Sequence, residues 1–511
     1  MHINRLTKYG AVAAAALLLA YLAVANSLFE VPSLDFEVPS LPSLLPGQAQ
    51  APVVIDPYAH RYPTADSFLP HFKEVIRAPG LTIAECKLGC NWPDESKVNF
   101  QFGDDFDWAV KDRSNRELSG RRTQWHQFIQ SKLIPFEPHA DQFEGRGIVI
   151  VAGDSASMQR VRLVVRQLKR LKSTLPIEIH YYGDEIAFAD VAEVTDMWHD
   201  IRFNNLAEDH NLMKTHTAKP FNPALPKVHL PNYSFKTAAV INSRFAEALL
   251  LDSDNIPVID PEELFQSETY KEFGTIFWPD IARTRKQNPI WPITNTPCRM
   301  DEYEQESGQL LVDKKRFFYH LQLAAWLNNE HGDYYGGTLK EPGKMGGGFL
   351  LGDKDMFRFA WHALKTQYGR PARWVTSVGT ISPNEEKKYC GHSFAQHHPD
   401  SHDGRVAFMH GGLLKSMDPR GMTYLRENLG GIYQVYKRSP YDQDKTYNTD
   451  ITILMDGMEY YEDKPDDFVA HWCTRMFDVE AKPLADIIPG GFENTFEAIG
   501  GYWMANMTFQ W

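Results

Sequence analysis

Positive charge is in short supply in this 511-residue chain: 53 lysines and arginines stand against 66 aspartates and glutamates, a formal net charge of -13 at pH 7. A general nucleic-acid binder needs a basic surface field, so that class is excluded. Cysteine is scarce as well, and the spacing of Cys86 and Cys90 makes a poor zinc motif without a second pair among Cys298, Cys390 and Cys473. No G-x-G-x-x-G follows the first apolar strand, and Gly343 and Lys344 with Gly346, Gly347 and Gly348 do not form a P-loop. Dinucleotide dehydrogenases and P-loop kinases therefore lose their support. Core-forming material is plentiful, at 43% hydrophobic and 13% aromatic residues, enough for a large packed domain.

One long apolar run exists, from Gly10 to Phe29, behind Arg5 and Lys8. About 20 helical residues span roughly 30 Å, sufficient for one bilayer crossing. Ala23, Val24 and Ala25 also form a small-residue cleavage pattern, so a removed signal peptide competes with an uncleaved anchor. The proline-rich stretch behind it, with Pro32, Pro39, Pro42, Pro46, Pro52 and Pro57, makes an extended spacer and favours the anchor. The expected organisation is a cytoplasmic tail (1–8), a transmembrane signal anchor (9–29), a stem (30–66), a lumenal helical extension (67–142) and a catalytic domain (143–511). In the oxidising space that this layout implies, two disulfides and one remaining thiol are expected, with the pairing open. Triplets at Asn232 and Asn506 agree weakly as glycosylation acceptors.

Gly147 to Gly153 is a near-continuous apolar run, as a buried parallel strand should be. From Ser155 to Lys172 the apolar residues keep helical spacing, with Arg160, Arg162, Arg166, Lys169 and Arg170 on what reads as a solvated face; Ile177 to Tyr182 then reads as a second strand. This β-α-β unit predicts an α/β fold with a mainly parallel central sheet flanked by helices. About a hundred residues on, a helix over 235–245 precedes the strand Ala248 to Leu251, which ends in Asp252, Ser253 and Asp254. Residues two apart on a strand point the same way, so both carboxylates can reach one hard cation at the strand's carboxyl end, where α/β sheets bind ligands. A similar pair at Asp353 and Asp355 stays in play; a third at Asp442 and Asp444 reads as a solvated loop. The combination is the plan of a nucleotide-sugar transferase of the GT-A type. Mn²⁺ or Mg²⁺ suits the oxygen ligands and would neutralise charge on a departing diphosphate.

The block from Phe245 to Phe265, the segments Phe277-Trp278-Pro279-Asp280 and Asn288 to Trp291, and above all Glu306-Ser307-Gly308-Gln309 followed by Asp313 resemble the fungal Golgi α-mannosyltransferase family of mannan outer-chain synthesis, its α-1,2 branch more than its α-1,3 branch. The resemblance implies GDP-mannose as donor, a mannose of N-linked mannan as acceptor, and the possibility of a Golgi mannosyltransferase complex. It implies Asp252 and Asp254 as metal ligands, with His410 of the segment Phe408 to Lys415 as a third and Lys415 on the diphosphate. Lys236 would face the donor sugar or remain a helix-surface lysine. Trp278 and Trp291 would offer sugar-stacking faces or lie in the core. Gly153, Ser253, Asp280, Ser307, Gly308 and Gln309 complete the expected substrate site. Retention of configuration follows from the family, through a carboxylate nucleophile or a front-face route, with Glu306 and Asp353 as the carboxylates to test. Asp353 reads equally as a helix cap. His392, His397, His398 and His402 leave a minor zinc reading.

Overall fold

The computed structural model describes residues 65–90, 113–215, 235–335, 339–341, 344–345, 350, 353–381, 388–440, 453–458, 471–477 and 479–506. The expected anchor and stem, the triplet at Asn232, the side chain of Asn506 and the pair Asp442 and Asp444 lie outside them. No helix among the described residues is long and apolar enough to cross a membrane. The chain divides into residues 1–54 and 55–511, and all described residues belong to the second unit.

The expected β-α-β unit is present. Strand β1 (Arg146–Val151) pairs in parallel with β2 (Ile177–Tyr181), β2 with β3 (Ile201–Asn205), and β1 also with β4 (Glu247–Leu251). Ile148, Ile150, Leu249 and Leu251 face one core and Val149, Ala248 and Leu250 another, so both faces of the sheet are covered. That explains why these strands read as unbroken apolar runs. The helix Ser155–Leu171 starts at Asp154, whose carboxylate accepts from the amides of Ala156 and Ser157, and buries Val161, Val164, Val165 and Leu168.

The sheet is mainly parallel, as expected, with one strand reversed. After β6 (Thr275–Pro279), strand β7 (Gln305–Asp313) runs antiparallel between β4 and β6, giving the order β3-β2-β1-β4-β7-β6. The physical consequence decides the site. An antiparallel neighbour begins where β4 ends, so Leu251 pairs with Gln309 and the amide of Asp252 donates to Gly308 O at 2.8 Å.

A second sheet, antiparallel throughout, was not anticipated. Beyond a small hairpin of β8 (Leu339–Glu341) and β9 (Lys344–Met345), it comprises β10 (Thr376–Ile381), β11 (Tyr389–His397), β12 (Val406–His410), β13 (Val435–Lys437), β14 (Ile453–Met458), β15 (His471–Met476) and β16 (Lys482–Pro483). Strand β12 also pairs with β5 (Asn255–Pro257), just past the two aspartates, with His410 opposite Asn255. Two disulfides, Cys90–Cys298 and Cys390–Cys473, and a buried free thiol at Cys86 match the expected count. The helices near the N-terminus share a core with the rest: Phe68, Phe72, Trp125 and Phe128 pack with Ile290, Phe318 and Trp361.

Candidate active site

Five separate stretches, at residues 236, 252–255, 306–309, 353 and 410–415, converge at the carboxyl end of β4. Asp252 and Asp254 lie on the turn that follows it, and Asn255 anchors that turn by donating to Gly308 O at 2.8 Å and Gln309 Oε1 at 2.5 Å. The amide of Gly411 donates to Asp254 O at 3.0 Å, which ties the end of β12 to the same turn. Asp252, Asp254 and His410 thereby offer one ligand atom each, all within 4.8 Å of one another. His410 Nε2 lies 3.5 Å from Asp254 Oδ1, and its Nδ1 lies 3.6 Å from Glu306 Oε2.

The donor chemistry suits a divalent cation. Asp254 Oδ2 and both ring nitrogens of His410 are buried and make no hydrogen bond; they meet only charged groups at 3.3–3.6 Å, Lys415 for the oxygen and Asp254 and Glu306 for the ring, which leaves their lone pairs open to a cation. Two carboxylates and an imidazole are a sound set for Mn²⁺ or Mg²⁺. Asp252, Asp254 and His410 therefore fit such an ion. Burial alone would raise the Asp254 carboxyl, but Lys415 and His410 beside it hold it well below the usual range. Burial is likewise outweighed at Glu306, where His410, Lys236 and the Gly308 amide bring the carboxyl down to about 2.

A second group lies on the other side of Asp252. Lys236, on the helix Phe235–Asn242, puts its ammonium 2.9 Å from Asp252 and 3.4 Å from Asp353 Oδ2. It is largely enclosed and partnered, with 12% of its side chain exposed, and is not a surface lysine. Asp353 accepts from the Ser307 hydroxyl at 3.0 Å. Its side chain makes no capping bond to the helix Lys354–Ala363, so the structural alternative for Asp353 is overturned. Burial pushes its carboxyl up, against the pull of Lys236.

Gly308 lies against His410: a Cβ there would meet the ring's Cε1 at 2.7 Å, so the ring needs a glycine beneath it. Lys415, half exposed, reaches Asp254 Oδ2 at 3.3 Å. Ser253 accepts from Arg160 Nε at 3.1 Å. The solvated-face reading of the helix Ser155–Leu171 holds for Arg166, Lys169 and Arg170, which are exposed, and fails for Arg162, which is buried and held by Asp190 and Glu193; Arg166 also donates to Ile499 O. Helical periodicity shows which face is polar, not what covers it. Gly153 closes the end of β1, its amide donating to Ser157 Oγ at 3.1 Å, and lies near Glu185 rather than in the carboxylate cluster.

Four expected substrate contacts, Trp278, Trp291, Asp280 and Gln309, are buried within the protein. Trp278 is fully buried, edge-on to Phe408, with its indole N–H donating to His397 O, and Trp291 is equally enclosed. Both are core residues. Asp280 is buried against Lys354 Nζ at 2.5 Å, and the same ammonium meets Glu304 at 2.8 Å. Gln309 is wholly buried under the β4 turn. The zinc alternative finds no support, since among the described residues only Asp252, Asp254 and His410 group as metal ligands. His397 instead bonds Thr376 and Gly404 O. A slot next to Asp254, lined by Arg160, Lys415, Tyr433, Phe496, Trp503 and Met504, was not foreseen; nothing in its local sequence marks it, because the chain's last described residues form one wall.

A family model described as a mannosyltransferase matches residues 145–301 and 298–398, which carry Asp252, Asp254, Glu306 and Asp353. Over these residues the chain belongs to the mannosyltransferase family. Among curated proteins, this mannosyltransferase segment is similar to the α-1,2-mannosyltransferase MNN21 of Candida albicans, 26% identical over 318 residues, covering 54% of this chain and 46% of that one. It is also similar to the α-1,2-mannosyltransferase MNN2 of Saccharomyces cerevisiae, 28% identical over 294 residues, covering 50% and 46%. The chain spans about half the length of these relatives. Among solved structures, the mannosyltransferase Ktr4p of S. cerevisiae overlaps 58% of this chain and 84% of its own at 10% identity, with a TM-score of 0.29, too loose to carry residue roles.

Proposed function

We propose that this chain is a Golgi α-mannosyltransferase that transfers mannose from GDP-mannose to a mannose of N-linked mannan, forming an α-1,2 linkage with retention of configuration. Its expected setting is that of a single-pass type II membrane protein with the catalytic domain in the lumen. The observation that carries the reading is the convergence of Asp252, Asp254 and His410, with unsatisfied buried atoms, inside the segment that matches the mannosyltransferase family. The named activity of the relatives supports the linkage.

A divalent cation at these three residues would neutralise charge that builds on the diphosphate as the sugar leaves. Lys415 adds a point charge at the exposed edge, suited to a phosphate oxygen. Lys236 keeps Asp252 and Asp353 from repelling one another. Asp353, oriented by Ser307, is the carboxylate free of the histidine and thus the one placed to act as nucleophile; in the front-face alternative the leaving diphosphate takes the acceptor's proton and Asp353 orients the sugar. A scaffold subunit with no activity would have no chemical need for the three converging ligands.

The test is incubation of the full chain with GDP-mannose, Mn²⁺ and a short α-mannoside, with the product linkage read by NMR and Asp254→Ala run in parallel. A new α-1,2 linkage, lost in the variant, is expected. Slow GDP release equal in both proteins would refute transfer, and an α-1,3 product would reassign the linkage.

A further inference from the structure

Glu306 was a candidate nucleophile by residue type, yet its geometry gives it another task. One of its oxygens accepts the Gly308 amide at 2.8 Å, and the other faces His410 Nδ1 at 3.6 Å. On the far side of the ring, Nε2 faces Asp254 at 3.5 Å. One side of the ring lies against Gly308, where even a Cβ would collide. We propose that Glu306 is a positioning residue: it holds the His410 imidazole with Nδ1 toward a carboxylate, so that Nε2 is the nitrogen turned to the Asp252–Asp254 cation site.

The physical reason is tautomer choice. A neutral imidazole carries its proton on one nitrogen and its free electron pair on the other. A carboxylate faces each nitrogen, Glu306 at Nδ1 and Asp254 at Nε2; with a cation held by Asp252 and Asp254, the Glu306 carboxylate would keep the proton on Nδ1 and leave the Nε2 pair for that cation, and carboxylate–histidine–metal arrangements of this kind raise ligand basicity and fix ring orientation. Glu306 is well placed because its own orientation is fixed by backbone: β7 runs antiparallel to β4, and the Gly308 amide that holds Glu306 sits beside the Gly308 carbonyl that receives the Asp252 amide. The same two-residue step of β7 thus sets both the carboxylate turn and the histidine.

This inference rests on the metal reading of the site, and its test separates the two. Mn²⁺ binding to the full chain is measured by isothermal titration without donor or acceptor, so turnover plays no part. Glu306→Ala should weaken Mn²⁺ binding about 10- to 100-fold, the usual cost of losing such an outer partner. Glu306→Gln, which keeps the side-chain shape but only one acceptor oxygen for the two groups Gly308 N–H and His410 Nδ1, should recover part of that loss. In a His410→Ala background, Glu306→Ala should add less than about twofold, because its effect runs through the ring. Unchanged Mn²⁺ affinity in Glu306→Ala, or an equal loss with and without His410, would overturn the proposal while leaving the metal site standing. Equal, weak binding by wild type and Asp254→Ala would instead remove the metal reading and the proposal with it.

Discussion

Replacing Lys354 by methionine tests the buried ionic network that supports the site. The Lys354 ammonium lies 2.5 Å from Asp280 and 2.8 Å from Glu304, with side-chain exposures of 10%, 12% and 4%. Methionine keeps most of the apolar stem, so the loss is chiefly the cation. Removing one partner from a buried ion pair costs about 3–5 kcal/mol, because the remaining carboxylates keep their desolvation penalty. A small gain of roughly 0.5 kcal/mol offsets this, since Lys354 opens the helix Lys354–Ala363, where a cation opposes the helix dipole. The net loss should be about 3 kcal/mol. For a cooperative unit of roughly 450 residues, with ~2.1 cal/mol/K of unfolding entropy per residue, that lowers Tm by about 3 °C. The sign of the pH dependence follows from Asp280, whose carboxyl is raised by burial against the pull of Lys354. A carboxyl raised in the folded state holds a proton that the unfolded chain has released, so its penalty grows as pH rises above the unfolded value of 3.8. Loss of Lys354 raises Asp280 further, and the deficit of Lys354→Met should therefore be larger at pH 7 than at pH 5. The assay is calorimetric or fluorescence melting at the two pH values. Adding Asp280→Asn to Lys354→Met should recover part of the loss, and Asp280→Asn alone should leave the KM for the donor unchanged. A deficit below about 1 kcal/mol at pH 7, or one that does not shrink at pH 5, would refute the reasoning.

Lys236→Met takes the cation from between Asp252 and Asp353, and kcat should fall by about 10²- to 10³-fold with the fold intact by circular dichroism, as for a preorganised charge at a reacting centre. Gly308→Ala drives a methyl into His410; Mn²⁺ affinity measured by titration should drop about tenfold or more while Tm changes little. Cys90→Ser opens a cross-link that spans 208 residues, for which chain entropy gives about 5 kcal/mol, so melting under non-reducing conditions should shift down by several degrees. Trp278→Phe should destabilise the core and lose the bond to His397 O, without selective loss of sugar binding in a KM comparison.

What could be read from the chain and what could not divides along one physical line. Strands β1 and β4 are buried on both faces, so their apolar runs announce them, and the two carboxylates behind Leu251 are visible because strand geometry is local. His410 and Lys415 were reachable only through resemblance, because β12 joins β5 across about 150 residues of sequence. The direction of β7 was invisible for the same reason: 25 residues separate it from β6, and nothing local says which way it returns. Asp280 shows the cost of reading residue type alone. It follows a buried strand, as Asp252 does, yet its partner is a lysine 74 positions away and its charge is spent inside the protein. Asp254 also meets a lysine and a histidine, but one of its oxygens and both nitrogens of that histidine stay without a hydrogen bond. What separates a ligand carboxylate from a structural one here is therefore not its motif but its neighbours: β7 and β12, arriving antiparallel beside the same turn, bring Asp254 together with Asp252 and His410, whereas Asp280 meets a buried lysine.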